Sequence, residues 1–162
     1  MSTRRTVLAA AGSLLAAWML PAAAQAQSAR AAAVLPRPAS LAAELAGALG
    51  RGKALVVLVS LEGCPYCHLV RQSYLAPLRA EGQPVVQVEL AEALPLLDPQ
   101  GRPSTHEQLA RALGVRVAPT VLFLGAGGRE AAPRLDGVAS ADFYGAYLQE
   151  RVDAANRAVA RR

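Results

Sequence analysis

Residues 54–60 (ALVVLVS) form a continuous aliphatic and β-branched run, with Gly50 and Gly52 before it and Gly63 after it. Such a run is a strand buried on both faces, the kind a parallel sheet makes when helices cover both its sides. Directly behind it stand Cys64, Pro65, Tyr66 and Cys67, and these two cysteines are the only ones in 162 residues. One chain therefore cannot build a multi-disulfide scaffold or a four-cysteine zinc site. Whatever the thiols do, they do as a pair at the point where a strand becomes a helix.

The rest of the chain alternates strands and helices around that junction. Ser40 caps a helix to about Leu49, with Leu41, Leu45 and Leu49 recurring every four residues. After the cysteines, Leu69, Val70 and Tyr74 mark one side of a helix that Pro77 kinks or restarts. Residues 84–90 (PVVQVEL) read as a second strand, and residues 91–103 as an irregular connection containing the turn Asp98-Pro99-Gln100-Gly101. Ser104 with Glu107 forms a capping box for a helix that Gly114 stops, which leaves His106 solvated. Residues 119–124 give a third strand, 125–128 a glycine-rich turn, and 132–137 a fourth strand. Ser140 and Asp142 open a terminal helix whose apolar stripe is Phe143, Tyr147 and Val152, fraying toward its Ala- and Arg-rich end.

The N-terminus is built for export. Arg4 and Arg5 precede an apolar run from Val7 to Leu20, then Pro21 and a small-residue stretch ending in Ala24-Gln25-Ala26. This pattern is a signal peptide over residues 1–26, cleaved near Ala26, with Thr3 to Leu8 also resembling a twin-arginine signal. An uncleaved anchor is the alternative, although the run is mostly Ala and carries Pro21. Residues 27–39, rich in Ala with Pro36 and Pro38, read as a linker, and residues 40–162 as the single domain. The net charge of +5 falls by two once Arg4 and Arg5 leave, and the remaining arginines are scattered, so no nucleic-acid stripe is present. Export places the cysteine pair in an oxidising, periplasmic compartment.

The order strand, helix, strand, helix, strand, strand, helix, with CPYC after the first strand, resembles the thioredoxin fold. Val117-Ala118-Pro119-Thr120 before the third strand, the glycine turn, and Gly137-Val138 before the last helix carry the same resemblance over residues 40–152. The long connection with DPQGRP followed by THEQLA is more similar to exported thioredoxin-related proteins of the SoxW kind. The resemblance implies an α/β fold with a central mixed four-stranded sheet flanked by helices. It also implies a monomeric thiol–disulfide oxidoreductase that uses no cofactor beyond its own disulfide and exchanges with a protein disulfide or dithiol. A membrane-linked electron donor would keep it reduced.

On that fold Cys64 opens a helix, where unpaired backbone N–H groups and the positive dipole end favour its thiolate, so Cys64 is the nucleophile. Cys67, one turn on, resolves the mixed disulfide that Cys64 forms. Pro65 suits the first helical turn, and Tyr66 presents an aromatic to substrate or simply to solvent. The resemblance makes Pro119 cis and places Ala118 and Pro119 beside the sulfurs, where the Ala118 backbone pairs with extended substrate. Two departures affect redox tuning. Leu58 stands where many relatives carry a buried acid six residues before the first cysteine, and Gly63 replaces a tryptophan. Glu62 is the nearest carboxylate to Cys64 in sequence, either tuning the pair or merely charging a loop.

Other readings stay open. Reduction is favoured over disulfide formation or isomerisation because no large helical insertion of the oxidase type is present. A non-enzymatic binding module with an inert disulfide also fits. Cys64 to His68 satisfies the CxxCH pattern of c-type haem attachment, but the chain beyond residue 26 has no methionine and His106 is the only other histidine.

Overall fold

A computed structural model describes residues 34–161. The signal-peptide reading, and the linker as far as residue 33, lie outside them.

Helix α1 (Leu41–Gly50) starts as expected, with the Ser40 side chain accepting the Ala43 N–H at 3.2 Å. Strand β1 (Leu55–Ser60) is buried at every position. Helix α2 (Pro65–Val70) follows, then a π-helical turn (Arg71–Leu75) and helix α3 (Ala76–Ala80). The π turn is how the chain accommodates Pro77: this residue has no N–H to donate, and Ala76 before it bonds five residues back to the Arg71 carbonyl. Strand β2 (Val85–Glu89) lies parallel to β1, strand β5 (Thr120–Leu124) lies antiparallel to β1 on its other side, and strand β6 (Glu130–Asp136) pairs antiparallel with β5. The sheet order is β2-β1-β5-β6, the mixed four-stranded sheet expected.

Each sheet face has its own apolar layer. Val56, Leu58, Val70, Val85 and Phe123 pack against the terminal helix α5 (Ala141–Ala160), while Val57, Val59, Val86, Leu122 and Leu124 pack against α1 and helix α4 (His106–Ala112). Side chains alternate across the pleat, which is why a strand in the middle must be apolar throughout. Asn156 on α5 accepts the Ala54 N–H at 2.9 Å and donates to Gln83 at 3.0 Å, and Gln83 in turn donates to the Ala54 carbonyl at 2.7 Å. That triangle pins the terminal helix, which runs unbroken to Ala160.

Four local expectations are corrected. The connection 91–103 carries a two-stranded hairpin, β3 (Pro95–Leu97) with β4 (Pro103–Thr105), closed by Asp98, which accepts N–H groups from Gln100 and Arg102 at 2.8 and 2.9 Å. The α4 cap is Thr105, not Ser104: Thr105 is the last residue of β4 and accepts the Gln108 N–H at 3.3 Å. The α5 core stripe is Tyr144, Leu148, Val152 and Ala155, while Phe143 is 62% exposed and Tyr147 49%. One residue of phase turns a helix by about 100°, enough to move that pair outside. Finally, the end of the linker is held against the domain: Leu35 is buried in the core, Pro36 accepts the Gln87 N–H at 2.8 Å, and Ala39 accepts the Leu97 N–H at 2.9 Å.

Candidate active site

Cys64 is the N-cap of α2 and is joined to Cys67 as a disulfide, with Cα atoms 5.2 Å apart. Its sulfur accepts the Cys67 N–H at 3.1 Å, so the helix end that the sequence placed under the first cysteine does address that sulfur. The two sulfurs differ in access. Cys64 is half-buried, whereas Cys67 is fully covered. An incoming group therefore reaches Cys64 and not Cys67.

Pro65 occupies the first helical position and is exposed, as is Tyr66 at 59%. On the sheet side, Cys64 Sγ lies 3.9 Å from the Ala118 carbonyl oxygen, and the Ala118–Pro119 bond is cis. Thr120 holds this segment by donating from Oγ1 to the Val117 carbonyl at 2.9 Å and to Asp136 at 3.0 Å, and the Pro119 carbonyl accepts the Gly137 N–H at 2.7 Å. Ala118, Pro119 and Cys64 thus meet although 54 residues separate the first from the last. Leu58, at the position of the missing acid, is fully buried in the apolar layer.

On the opposite side of Cys64 the structure holds a polar cleft of about 570 Å³, open beside the sulfur, with Glu62, His68, Arg71 and Glu89 in its walls. Glu62 is exposed at the rim. Behind the cleft, Arg71 donates from Nε to Gln87 Oε1 at 2.6 Å and from Nη2 to Ser60 Oγ at 2.9 Å. Gln87 passes the contact on, donating to Glu89 Oε1 at 2.5 Å, and Arg37 reaches the same carboxylate oxygen at 2.9 Å. Glu89 is only 2% exposed, so its charge depends on these partners.

His106 ends this chain of contacts and corrects the expectation that it is solvated. It is 2% exposed, and its Nδ1 accepts the Glu89 backbone N–H at 3.0 Å. The one-residue shift of the α4 cap turns it inward. Burial depresses its pKa below the ordinary 6.5, against the opposing pull of the Glu89 carboxylate, so the ring is held neutral.

Sequence reasoning passed over Arg37, Ser60, Arg71, Gln87 and Glu89. A signal existed in Gln87 and Glu89, two polar residues at alternate positions in an otherwise apolar strand, which must share one face. Among the described residues, no group of three or more His, Cys, Asp or Glu side chains is placed to hold a metal ion.

Comparison with known proteins gives a single domain family: residues 41–151 match the thioredoxin-like domain. Similar solved structures include the reduced periplasmic thioredoxin SoxS from Paracoccus pantotrophus, at 21% identity and TM-score 0.42, covering 64% of this chain and 99% of that one. Thioredoxin NaTrxh from Nicotiana alata aligns at 17% identity and TM-score 0.49, covering 74% and 96%. A thioredoxin from Thermus thermophilus aligns at 26% identity and TM-score 0.47, covering 73% and 85%. No curated protein sequence matches.

Proposed function

The chain belongs to the thioredoxin-like domain family, and on that premise we propose that it is exported to the periplasm and there reduces disulfides of partner proteins. A thioredoxin-like domain with a paired CxxC is a thiol–disulfide oxidoreductase; the proposal concerns its direction, place and partners. The observation that carries the exchange at Cys64 is the unequal access of the two sulfurs beside the Ala118 backbone; the direction and place rest on the sequence.

In the reduced protein, the Cys64 thiolate attacks one sulfur of a partner disulfide, forming a Cys64–partner disulfide and releasing the partner's other sulfur as a thiolate. Cys67 loses its proton to solvent or to that leaving group and attacks Cys64, releasing the second partner thiol and closing the Cys64–Cys67 bond. The partner gains two electrons and the protein loses two. An extended partner segment pairs with the Ala118 backbone next to Pro119, and Tyr66 offers it an aromatic surface. Pro65 and Glu62 tune the pair. A membrane-linked thiol donor returns the protein to its dithiol form, and the domain acts as a monomer.

The N-terminal 26 residues serve as the export signal, the long β2-to-α4 connection supports a SoxW-type relative, and sequencing the N-terminus of the exported protein should find cleavage near Ala26. Among the described residues, no helix is long and apolar enough to cross a membrane.

Equilibration with glutathione buffers, read by thiol alkylation and mass, tests the direction. A potential well below the glutathione couple, with disulfide reduction when a donor is supplied, is expected. A markedly more oxidising value would mean disulfide formation or isomerisation, and a pair that never exchanges would mean a binding module. Cys64→Ser should abolish turnover, and Cys67→Ser should accumulate Cys64-linked partners.

A further inference from the structure

Arg71 stands in the wall of the cleft that opens at Cys64. Cys64, His68 and Arg71 follow one another at spacings of four and three, so they form one stripe along the active-site helix. A guanidinium has five N–H groups in a rigid plane. Here Nε is spent on Gln87 and one Nη2 hydrogen on Ser60, both uncharged acceptors. Among the described residues no partner takes the two Nη1 hydrogens or the second Nη2 hydrogen, and no carboxylate forms an ion pair with Arg71. The group is therefore fixed in direction by its anchors, with its charge uncancelled by a direct partner and three of its five donors unspent.

The other charges of the cleft sort differently. Arg37 and Glu89 satisfy one another at 2.9 Å. Glu62 and Glu92 remain on the walls without an ion pair among the described residues. Gly63 adds no side chain to the opening, and a Cβ there would meet nothing within 4 Å. A cleft with one anchored guanidinium and two carboxylates beside a reactive sulfur suits a disulfide whose sulfur-bearing unit carries a carboxylate, with or without an ammonium group.

Resting on the thiol–disulfide reading above, we infer that Arg71 is a substrate-binding residue that receives a carboxylate next to the disulfide being exchanged, on the flank of Cys64 away from Pro119. The carboxylate comes either from the terminus of an amino-acid disulfide or from an acidic side chain beside a partner's cysteine. The chemical step is unchanged: Cys64 thiolate displaces one thiolate from the substrate disulfide, Cys67 displaces the other, and the pair is oxidised as the substrate is reduced. Arg71 adds two charge-assisted hydrogen bonds to the bound carboxylate.

Cystine and cystamine test this directly, since they share the ammonium groups and differ only in the carboxylates, so the attraction of Glu62 and Glu92 for ammonium is matched and any repulsion they add works against the expected preference. Reaction of the reduced protein with each is followed by quenched alkylation. The cystine-to-cystamine ratio of rate constants is divided by the same ratio for free dithiothreitol. The expected ratio is about tenfold in favour of cystine, falling to about one in Arg71→Gln and partly restored in Arg71→Lys. Each variant's rate with the uncharged hydroxyethyl disulfide supplies its own reference, so general damage to the active-site helix divides out. A wild-type ratio near one, or a ratio that survives in Arg71→Gln, overturns the inference. Inertness toward all three disulfides overturns the oxidoreductase reading and the inference with it. Two peptide disulfides with Asp or Asn beside the cysteine separate the sources. Preference for the Asp peptide identifies a protein side chain, and preference confined to cystine identifies a terminal carboxylate.

Discussion

The two flanks of Cys64 are made of unlike material. Toward Pro119 the neighbours are backbone: the Ala118 carbonyl 3.9 Å away, in a segment held by the Thr120 hydroxyl on the Val117 carbonyl and the Gly137 N–H on the Pro119 carbonyl, with exposed Tyr66 nearby. Toward Arg71 they are side chains, a bonded line from Ser60 through Arg71, Gln87 and Glu89 to Arg37. A backbone flank tolerates many partner sequences because every partner has a main chain. The side-chain flank has fixed charge and direction, so it discriminates. On the proposed function and the Arg71 inference, one domain places a general docking surface and a selective one on either side of the same sulfur.

The sharpest way to break this contrast is Glu89→Ala, which removes the acceptor for both the Gln87 amide and Arg37. It should cost about 2–3 kcal/mol in urea unfolding, since a buried amide and a cation lose their partner together. The matching cut on the other flank, Thr120→Val, removes a single shared hydroxyl donor and should cost about 1–2 kcal/mol by the same measurement. Equal costs for the two would show that the side-chain line is no more tightly built than the backbone loop.

A smaller effect is set by pH. The folded-state pKa of His106 lies below its ordinary 6.5, so the unfolded chain binds the extra proton first. Its contribution is whole above pH 6.5 and drains away as the pH falls through the lower folded value. Protonating Nδ1 also ends its acceptance of the Glu89 N–H. Thermal melts should therefore show a stability limb below pH 6.5 that flattens in His106→Asn, and an unchanged limb would detach His106 from this line. The smallest stability change belongs to Tyr66→Ala, within about 0.5 kcal/mol because the ring is largely exposed. If Tyr66 serves the docking flank, that variant should still slow reduction of a protein disulfide severalfold while leaving the cystine-to-cystamine ratio in place.

The backbone flank was legible in the amino-acid sequence because each of its parts is one short segment with a pattern of its own, and the family resemblance joins them. CPYC follows its strand directly, and Val117 to Thr120 is one short segment. The Arg71 flank draws on residues 37, 60, 71, 87, 89 and 106, brought together only by the parallel pairing of β1 with β2 and by packing of the arm and α4. No local window contains that information, although the polar pair in β2 hinted at it. Phase errors had a similar origin. Ser104 and Thr105 are both good caps, and the choice between them is set by where β4 ends: its pairing with β3 runs through Thr105, so the helix begins only at His106. Phe143 and Tyr144 are neighbouring aromatics, and the inward place goes to Tyr144, whose ring packs on that of Tyr74 with centres 5.1 Å apart.

The bond from Gln87 N–H to the Pro36 carbonyl has a meaning for colloidal behaviour. Strand β2 is one border of the sheet, and a bare border recruits strands from other molecules. The arm occupies a donor there, while on the opposite border β6 carries Pro133, which has no N–H to offer. Both rims of the sheet are thus guarded against strands of other molecules. On the proposed function, a partner strand is left to add at the Ala118 segment, beside the sulfur, where the encounter ends in chemistry instead of aggregation.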